Sequence, residues 1–503
     1  MKQRVCFVNA PYDGPIAGIW NDVFPPLTIL SLAAYVRRER PAIDVSIIDG
    51  LRIGPSKAMV EALASPARIF AVTYVSFNAS TAYRFINSLK KARPEVIVIA
   101  GGTHVTSLEN DAFEKSAVDW AAHGEAEETL VELLDLLDGG GDPAKILGLL
   151  YREDGRVART PNRPLMEDIN TLPFPARDMV NLRDYSGIYV AHHKHNQHIL
   201  SGRGCVNNCW FCARTVWKRQ KPWQRLRRPD NIVAELREMR DRYGVREYFD
   251  MGDEFNSSEK WATETATAIA DANLGLDWQT FSRSTPVTDE MAAAMKASGC
   301  WLVHLGIESG NQATLNGIGK NITLEQARQA AAIYQRHGIK VVGLFMLFNA
   351  WEQDGQFMYE GVKESEQTLA FARSMLKEKL VDSITCSPAM PYPGGLLFDA
   401  AMRHSIIPKE KFDDWGIWDH AWNSVMTLPG ITMAGKWRVK LKGIWIQSWS
   451  LIFSRHLNFS HAIWGRGLGM FKMVFGSMVD GFLKITGKKP SRHFGRYLAS
   501  FED

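Results

Sequence analysis

"GRGCVNNCWFCART", residues 202–215, holds three of the chain's six cysteines within eight positions. The three are Cys205, Cys209 and Cys212. The other three cysteines stand far apart, which argues against the disulfide scaffold of a small secreted protein. The crowding therefore predicts one shared chemical task for these thiols, in a reducing compartment such as the cytoplasm.

Six short apolar segments alternate with helical patterns around and after this stretch, and the cysteines come just past the first of them. The segments are residues 197–202, 246–252, 277–282, 301–308, 340–347 and 381–387. One intervening helical pattern, "LEQARQAAAIYQRHG", has Thr323 as its N-cap and Gln326 at the third helical position. Six such units predict a partial (β/α)6 barrel over residues 196–405, with its chemistry at the carboxyl ends of the strands.

Residues 1–140 show strand–helix alternation of their own, which predicts an α/β domain with a doubly wound, flavodoxin-like parallel sheet. Examples of its strands are "RVCFVNA" (4–10), "RIFAVTYVS" (68–76) and "EVIVIAGG" (95–102). A ligand of such a sheet lies beyond the carboxyl ends of the strands. The candidate lining residues in those loops are Pro11, Tyr12, Thr73, Ser76, Gly101, Gly102, His104, Thr106, Gly124 and Glu125.

Among these loops, "GGTHVTS" (101–107) stands out because two glycines allow a ligand to approach the backbone closely. His104 and Thr106 then offer polar contacts. An ordinary tight turn is the alternative interpretation. A dinucleotide is not favoured, because no G-x-G-x-x-G motif follows the first strand.

Two further segments complete the predicted organisation. Residues 141–195 are rich in Pro, Arg and Asp and are predicted to form a linker.

Residues 406–503 are predicted to form a helical C-terminal extension, and residues 436–503 carry 12 Lys or Arg against 3 Asp or Glu. This basic part also holds Trp437, Trp445, Trp449 and Trp464. An amphipathic helix on the anionic inner face of a membrane fits this pattern, and so does a helical cap that packs its tryptophans on the barrel.

The composition excludes some classes of protein. The formal net charge of +4 is too small to indicate a nucleic-acid partner. No apolar run reaches the roughly 18 residues of a membrane-spanning helix, and the first residues lack the pattern of a signal peptide. We therefore expect a cytoplasmic protein, peripheral on the membrane if its C-terminal extension binds lipid.

Three thiols at this spacing leave several chemistries open. A structural zinc site normally takes four protein ligands, usually supplied as two short Cys or His pairs. Only one such group of ligands is present here. A redox pair of Cys209 and Cys212 would leave Cys205 unexplained. Three thiolates can hold a [4Fe–4S] cubane and leave its fourth iron open. The spacing and the position on the barrel favour this open cluster, with zinc or a purely structural role as alternatives.

The residues from about 195 to 405 resemble the radical S-adenosylmethionine (SAM) superfamily. "GCVNNCWFC" is similar to its cysteine signature, and "YFDMGDEFNSS" is similar to its acidic segment after the second strand. "FSRS", "LGIESG" and "PYPGG" resemble further elements of the family, in the right order. The segment "FNAWEQDGQFMYEG" departs from the family's usual Gly-x-Pro-Gly-Glu, which puts the local contacts after the fifth strand in doubt.

The first domain resembles the cobalamin-binding domain of class B radical SAM methylases. The resemblance rests on "PPLTILSLAAYVRRERPAIDVSIIDG", "IAGGTHVT" and "AAHGEAEETL". The family's Asp-x-His-x-x-Gly signature, which supplies a histidine to cobalt, is absent. The resemblance therefore implies base-off cobalamin without a histidine ligand, bound by the loop residues named above, with His104 facing the corrin.

The same resemblance implies roles for residues around the cluster. Cys205, Cys209 and Cys212 would hold the [4Fe–4S] cluster, whose open iron binds the amino and carboxylate groups of SAM. Asp253 and Glu254 would contact the ribose or amino group of SAM, Arg283 its carboxylate, and Glu308 its hydroxyl or amino groups. Ordinary alternatives exist: Asp253 as a helix cap, Arg283 in a surface ion pair, and Glu308 as a strand-end carboxylate.

The implied activity is a cobalamin-dependent methyltransferase acting on an unactivated carbon of a small molecule, with an external one-electron donor such as flavodoxin or ferredoxin. Ring formation or rearrangement with the same cofactors is the alternative, and a cobalamin or iron–sulfur sensor is a third hypothesis. A membrane-bound C-terminal extension would favour an apolar substrate such as a lipid or a tetrapyrrole.

Overall fold

The computed structural model describes residues 3–13, 24–185, 187, 190–213, 220–418 and 424–453. Two parallel sheets dominate this part of the chain, one of seven strands and one of six. Each sheet pairs its strands mainly in parallel, and helices connect them. The predicted α/β fold class, a flavodoxin-like sheet ahead of a partial barrel, is confirmed.

The first sheet has the strand order β2-β1-β3-β4-β5-β6-β7, of which the first five are parallel. This order is that of a doubly wound sheet, whose ligand lies at the carboxyl ends of the strands. The strands are β1 (Arg4–Asn9), β2 (Asp44–Asp49), β3 (Ile69–Thr73), β4 (Ile97–Gly101), β5 (Trp120–Ala122), β6 (Leu149–Glu153) and β7 (Arg156–Arg159). The helices are α1 (Leu27–Glu39), α2 (Gly50–Ile53), α3 (Pro55–Ala64), α4 (Ala79–Ala92), α5 (Thr103–Ser107), α6 (Asp111–Lys115) and α7 (Glu127–Gly139).

The sheet extends into residues that the sequence assigns to the linker of 141–195. Strands β6 and β7 form an antiparallel hairpin on its edge, and β6 pairs with β5. The hairpin turns at Asp154 and Gly155, which both have positive φ (48° and 77°). An Asp-Gly pair favours this turn, so this local signal identifies the hairpin that the low periodicity of the segment obscured. The other domain boundaries stay predictions.

The second sheet has the order β17-β14-β13-β12-β11-β8, all parallel, and the predicted strands coincide with these six. They are β8 (Gln197–Ile199), β11 (Glu247–Asp250), β12 (Asp277–Arg283), β13 (Cys300–Glu308), β14 (Lys340–Leu347) and β17 (Ser383–Pro388). The helices are α8 (Pro229–Tyr243), α9 (Glu259–Asp271), α10 (Asp289–Ala297), α11 (Gln312–Gly317), α12 (Leu324–Arg336), α13 (Val362–Lys377) and α14 (Leu396–Arg403). The predicted capping box is present, with the Gln326 amide donating to the Thr323 hydroxyl at 3.0 Å.

Two short hairpins accompany the barrel. The first joins β9 (Gly202–Gly204) to β10 (Gln224–Leu226) and carries the first cysteine directly after β9. The second joins β15 (Ala350–Gln353) to β16 (Gln356–Tyr359). This second hairpin occupies the segment that departs from the family pattern, so a different local structure replaces the usual loop there.

The barrel strands alternate between an outer and an inner face, because successive side chains point to opposite sides of a strand. On the outer face, Tyr248 stacks on Trp278 with ring centroids 5.8 Å apart. On the inner face, the ring of Phe249 lies 5.0 Å from Phe281 and 4.9 Å from His304. Arg283 lies two residues beyond Phe281 on the same strand, so it belongs to the inner face at the carboxyl end.

The C-terminal extension covers the edge of the barrel sheet with α15 (Met433–Phe453). Backbone amides of the edge strand β17 donate to side chains of this helix: Ile384 to Ser450 Oγ at 3.2 Å and Cys386 to Gln447 Oε1 at 3.1 Å. The helix thus satisfies donors that an edge strand leaves exposed. None of the described helices has the length and apolar character needed to cross a bilayer. Trp464 lies outside the described residues.

Candidate functional site

The cysteine loop leaves β9 and is held by backbone contacts to two other parts of the barrel. The amide of Trp210 donates to the carbonyl of Ile318 at 2.9 Å, and the amide of Leu397 donates to the carbonyl of Trp210 at 2.9 Å. Within the loop, the amide of Cys212 donates to the carbonyl of Cys209 at 3.2 Å. The loop that carries the three thiols is therefore anchored at the mouth of the barrel.

Cys205 and Glu254 share a partly buried hydrogen-bonded site. The Cys205 thiol donates to Glu254 Oε2 at 3.2 Å, and the Asn207 side chain donates to both Cys205 Sγ (3.4 Å) and Glu254 Oε2 (2.8 Å). Burial and the nearby Glu254 carboxylate raise the pKa of Cys205, and burial raises the pKa of Glu254. Metal binding would remove the thiol proton, since thiolate is the ligand form.

Arg283 contacts both Cys209, the second cysteine, and the carboxylate of Glu254. Its Nη1 donates to Cys209 Sγ at 3.6 Å, its Nε lies 3.5 Å from Glu254 Oε1, and its Nη2 donates to the carbonyl of Lys320. Arg283 is only 8% exposed, so it does not form a surface ion pair. N–H donors to sulfur are a common feature of iron–sulfur sites, which makes this environment compatible with a cluster.

Lys320 is a site residue that sequence reasoning missed. Its Nζ forms a buried ion pair with Glu308 Oε1 at 2.8 Å and lies 5.9 Å from the ring centroid of Phe211, inside the cysteine loop. Glu308 itself has a φ of +71°, a conformation that non-glycine residues rarely adopt and that often marks functional sites. Nothing in the local pattern around Lys320 distinguishes it from a solvent-exposed lysine.

Asp253 lies between the cysteine loop and the first domain. Its Oδ2 accepts a hydrogen bond from the amide of Gly204 at 2.8 Å, the residue just before the first cysteine. Burial raises the pKa of Asp253. The helix-cap alternative does not describe this contact, because Gly204 belongs to a strand.

A cavity of about 440 Å³ lies between the two domains and contains Asp253 in its wall. It lies at the carboxyl ends of the first sheet's parallel strands. Six predicted lining residues meet there: Thr73, Gly101, Gly102, Thr106, Gly124 and Glu125. Helix α1, Arg203, Met251 and His198 also line it and were not predicted. Burial lowers the pKa of His198 to about 3, so its imidazole is neutral at physiological pH.

The remaining predicted lining residues lie elsewhere: Pro11, Tyr12, Ser76 and His104 are absent from the walls of this cavity. His104 therefore does not line this cavity, and its contact with a corrin stays a prediction. His104 is fully buried, its Nδ1 lies 3.0 Å from Ser76 Oγ, and its ring packs against Trp415 at 4.6 Å. Helix α5 points this side chain away from the cavity, toward the polypeptide that follows the barrel.

Asp111 is the centre of this buried network. Its Oδ2 accepts hydrogen bonds from the Tyr83 hydroxyl (2.6 Å) and the Trp415 indole (3.0 Å), and lies 3.2 Å from His104 Nε2. Lys115 pairs with Oδ1 at 2.9 Å. Burial raises the pKa of Asp111, but the partners outweigh it and bring the pKa to about 2. The network joins the loop after β4 to the segment after the barrel.

We expect Asp111→Asn to reduce the free energy of unfolding by about 2 kcal/mol at neutral pH. The folded pKa lies below the ordinary value, so the contribution is present above about pH 4 and is lost as the pH falls toward 2. The difference between wild type and variant should fall by about half at pH 3. Urea unfolding at pH 7 and pH 3 measures it, and a difference independent of pH would contradict this role.

Gly102 lets the loop after β4 approach β3. Its φ is +107°, and a Cβ there would lie 2.3 Å from the Tyr74 carbonyl oxygen. Gly102→Ala should therefore cost roughly 2 kcal/mol or more of stability and distort the cavity wall. Gly139→Ala is the control, because a Cβ at Gly139 meets nothing within 4 Å. Equal denaturation midpoints for the two variants would contradict the prediction.

The donor set fits an iron–sulfur cluster. Two of the three thiols contact polar or charged groups, and N–H groups of Asn207 and Arg283 point at their sulfurs. Among the described residues, no group of three or more His, Cys, Asp or Glu converges as ligands of a single metal ion do. A cubane cluster does not require its three thiolates to converge on one point, because each thiolate binds a different iron atom.

Comparisons with known proteins agree with both halves of the chain. A model described as the radical SAM superfamily matches residues 199–354, and a model of the B12 binding domain matches residues 20–134. The chain is 30% identical over 410 residues to the uncharacterized methyltransferase PH0819 of Pyrococcus horikoshii, covering 80% of this chain and 84% of that protein. It is 24% identical over 407 residues to the anaerobic magnesium-protoporphyrin IX monomethyl ester cyclase of Rubrivivax gelatinosus, covering 78% and 69%.

Two solved structures share the fold. The radical SAM methyltransferase TsrM from Kitasatospora setae, with cobalamin and a [4Fe-4S] cluster bound, has a TM-score of 0.66 at 15% identity and covers 87% of this chain and 91% of its own. The cobalamin-dependent radical SAM enzyme OxsB, with aqua-cobalamin and SAM bound, has a TM-score of 0.69 at 15% identity and covers 97% and 75%. With a B12-binding domain ahead of a radical SAM domain, and a relative that aligns over most of both chains, this chain belongs to the cobalamin-dependent radical SAM enzymes.

Proposed function

We propose that this enzyme is a methyltransferase that transfers a methyl group to an unactivated carbon of a small molecule. The observation that carries the proposal is the interdomain cavity, whose walls come from the carboxyl ends of the first sheet on one side and from β9 and Asp253 on the other. A methyl donor bound on the sheet and a radical generated at the barrel would both face one substrate there.

The three thiols of Cys205, Cys209 and Cys212 would hold the [4Fe–4S] cluster and leave one iron for SAM. When bound, the cluster supplies the electron that cleaves SAM to a 5′-deoxyadenosyl radical, and cobalamin carries the methyl group. The electron would come from an external donor such as flavodoxin or ferredoxin. The protein's own task is to position these groups and to exclude water.

Four charged side chains at the barrel mouth suit the methionine part of SAM. Arg283 faces Glu254, and Lys320 faces Glu308, so two cations and two carboxylates are paired and buried. A zwitterion brings one amino and one carboxylate group, and such a quartet can exchange partners with it without leaving a buried charge unpaired. Arg283 would bind the carboxylate through its two parallel N–H groups. Glu308 would accept from the amino or hydroxyl groups, and Asp253 would reach the ribose.

Cobalamin would lie on the first sheet, against Thr73, Gly101, Gly102, Thr106 and Gly124. We propose that it binds base-off without a histidine ligand. In support, the sequence lacks the family's Asp-x-His-x-x-Gly signature. Glycines at this wall let a corrin approach the backbone closely.

Anaerobic reconstitution with iron, sulfide and cobalamin, followed by reaction with SAM labelled in its methyl group, tests the function. The expected result is 5′-deoxyadenosine together with labelled product that is heavier by one CH2 unit. Wild-type protein that forms no 5′-deoxyadenosine would exclude a radical SAM mechanism. Candidate substrates should include lipids and tetrapyrroles.

Ring formation without methyl transfer is the second candidate, because the relative from Rubrivivax gelatinosus is named a cyclase. The same experiment separates the two. A cyclase product would lose hydrogen and carry no label from the SAM methyl group, whereas the methyltransferase product would carry it.

We also propose that α15 places a cytoplasmic enzyme against an anionic membrane surface. Trp445 and Trp449 stack at 5.5 Å and are about half exposed (54% and 51%). Lys442 and Arg438 lie on the same helix and share one acidic partner, Glu366. Arg373 lies 5.9 Å from the ring centroid of Trp445. Aromatic rings flanked by cations favour the interface of a bilayer with anionic headgroups.

Replacing Trp445 and Trp449 with alanine is expected to lower binding to phosphatidylglycerol vesicles roughly tenfold or more. Cosedimentation measures the binding, and phosphatidylcholine vesicles test the need for charge. Met402→Ala removes an exposed apolar side chain elsewhere and is the control. Wild-type protein that does not sediment with anionic vesicles would refute the proposal.

A further inference from the structure

Two arginines lie directly opposite each other on the hairpin that carries the first cysteine. In the antiparallel pair of β9 and β10, Arg203 is in register with Arg225. Like charges placed opposite on neighbouring strands repel each other. The hairpin therefore requires negative partners on this side, and its own strands supply none.

The partners come from the other domain. Arg203 donates to Glu125 Oε1 at 2.9 Å and to Glu127 Oε1 at 2.6 Å. Arg225 donates to both oxygens of Glu125 at 2.8 Å. These four side chains form a charge-balanced group, which we call the interdomain clasp. The amide of Met166 also donates to Glu125 Oε2 at 3.2 Å, so the linker joins the same group.

The clasp is buried, unlike most ion pairs of this protein. The side chain of Arg225 is 4% exposed, those of Glu125 and Glu127 are 8% exposed, and that of Arg203 is 16% exposed. Buried pairs are screened little by salt, and losing one partner leaves an uncompensated charge. The clasp thus holds one relative position of the two domains in preference to others.

Its location connects the two predicted cofactor sites. Arg203 lies two residues before Cys205, and Gly204 between them donates to Asp253. Glu125 follows Gly124, whose amide donates to Thr106 Oγ1 at 3.1 Å in the cavity wall. One short chain of contacts therefore joins the cysteine loop to the loops that line the cavity.

We propose that Arg203 is a positioning residue that sets the distance between the cluster loop and the corrin site. The purpose assigned to Arg203 rests on the proposed function, whereas the contacts from which the inference is argued do not depend on that function. Glu125, which the sequence indicated as a cobalamin contact, instead acts through the clasp. The clasp would set the relative placement of the two cofactors.

The first test needs no cofactor. Glu127→Gln keeps the shape of the side chain and removes the charge that faces Arg203. Amide hydrogen exchange across residues 202–213 should become faster in this variant of the full chain. Glu132→Gln is the matched control, because Glu132 lies on the same helix and pairs with Arg163 at the surface. Exchange in 202–213 that is equal in Glu127→Gln and wild type would overturn the clasp, whether or not the enzyme is a methyltransferase.

The second test uses protein loaded with cluster and cobalamin. The reduced cluster and cob(II)alamin both carry unpaired electrons, whose magnetic interaction weakens steeply with distance. Among molecules that hold both cofactors, Arg203→Ala should lose this interaction, so that the cob(II)alamin EPR signal saturates at lower microwave power. Arg203→Lys should restore only part of it, because the charge remains but the two separate N–H groups that reach Glu125 and Glu127 are lost.

The outcomes separate the two proposals. A wild-type interaction that persists unchanged in Arg203→Ala would overturn the positioning role. Wild-type protein that shows no such interaction, with both cofactors bound, would also overturn it. Failure of wild type to load either cofactor, combined with faster exchange in Glu127→Gln, would refute the proposed function and leave the clasp intact.

Discussion

Replacement of Cys205, Cys209 and Cys212 by alanine is expected to bring the iron content from about four atoms per chain to near zero. The broad visible absorbance of the cluster and the formation of 5′-deoxyadenosine should disappear with it. The reason is that three separate irons each need one thiolate, and the described loop offers no replacement ligand set. Iron analysis and chromatography of the nucleoside product measure these effects.

The control is Cys6→Ala, which removes a thiol that is buried in the first domain. Its iron content and its activity should equal those of wild type. Retention of iron by the triple variant, or stoichiometric zinc in the wild type, would contradict the assignment of the cluster. Cobalamin binding should survive the triple substitution, since the first domain supplies most of the cavity wall.

Arg283→Ala is expected to have the second largest effect. It removes the partner of buried Glu254 and should lower the free energy of unfolding by about 3 kcal/mol. Loss of two charge-assisted hydrogen bonds to the SAM carboxylate should weaken SAM binding roughly hundredfold. Denaturant unfolding of the full chain and equilibrium binding of SAM to the cluster-loaded protein measure the two effects separately.

Two comparisons sharpen this prediction. Arg240→Ala removes an exposed arginine that pairs with Asp241 and should leave the stability nearly unchanged. Arg283→Lys keeps the charge, so stability should recover more than SAM affinity does. If Arg283→Ala bound SAM like wild type while losing stability, Arg283 would be a structural partner of Glu254 only.

The C-terminal extension matches the helical-cap interpretation in one respect and differs from it in another. Helix α15 caps the barrel through Gln447 and Ser450, as the helical-cap interpretation expected. Its tryptophans do not all pack inward, however, since Trp445 and Trp449 are about half exposed. The composition could not separate these outcomes, because Trp is equally suited to a core contact and to a bilayer interface.

The sequence by itself determined the order of the main parallel strands and their helices, the two-domain plan and the cysteine trio. These are local features. The periodicity of a segment depends only on the residues within it, and three cysteines within eight positions stay close together in any fold. Tertiary structure alone decided that His104 faces Asp111 and Trp415, that Lys320 pairs with Glu308, and that Glu125 binds arginines. Trp415 and Asp111 are 304 positions apart in the chain, and Arg203 and Glu125 are 78 apart. No local pattern specifies such partners. The sequence around a charged residue does not show whether its side chain will contact solvent, a cofactor or an opposite charge, because only the fold brings one of them within reach.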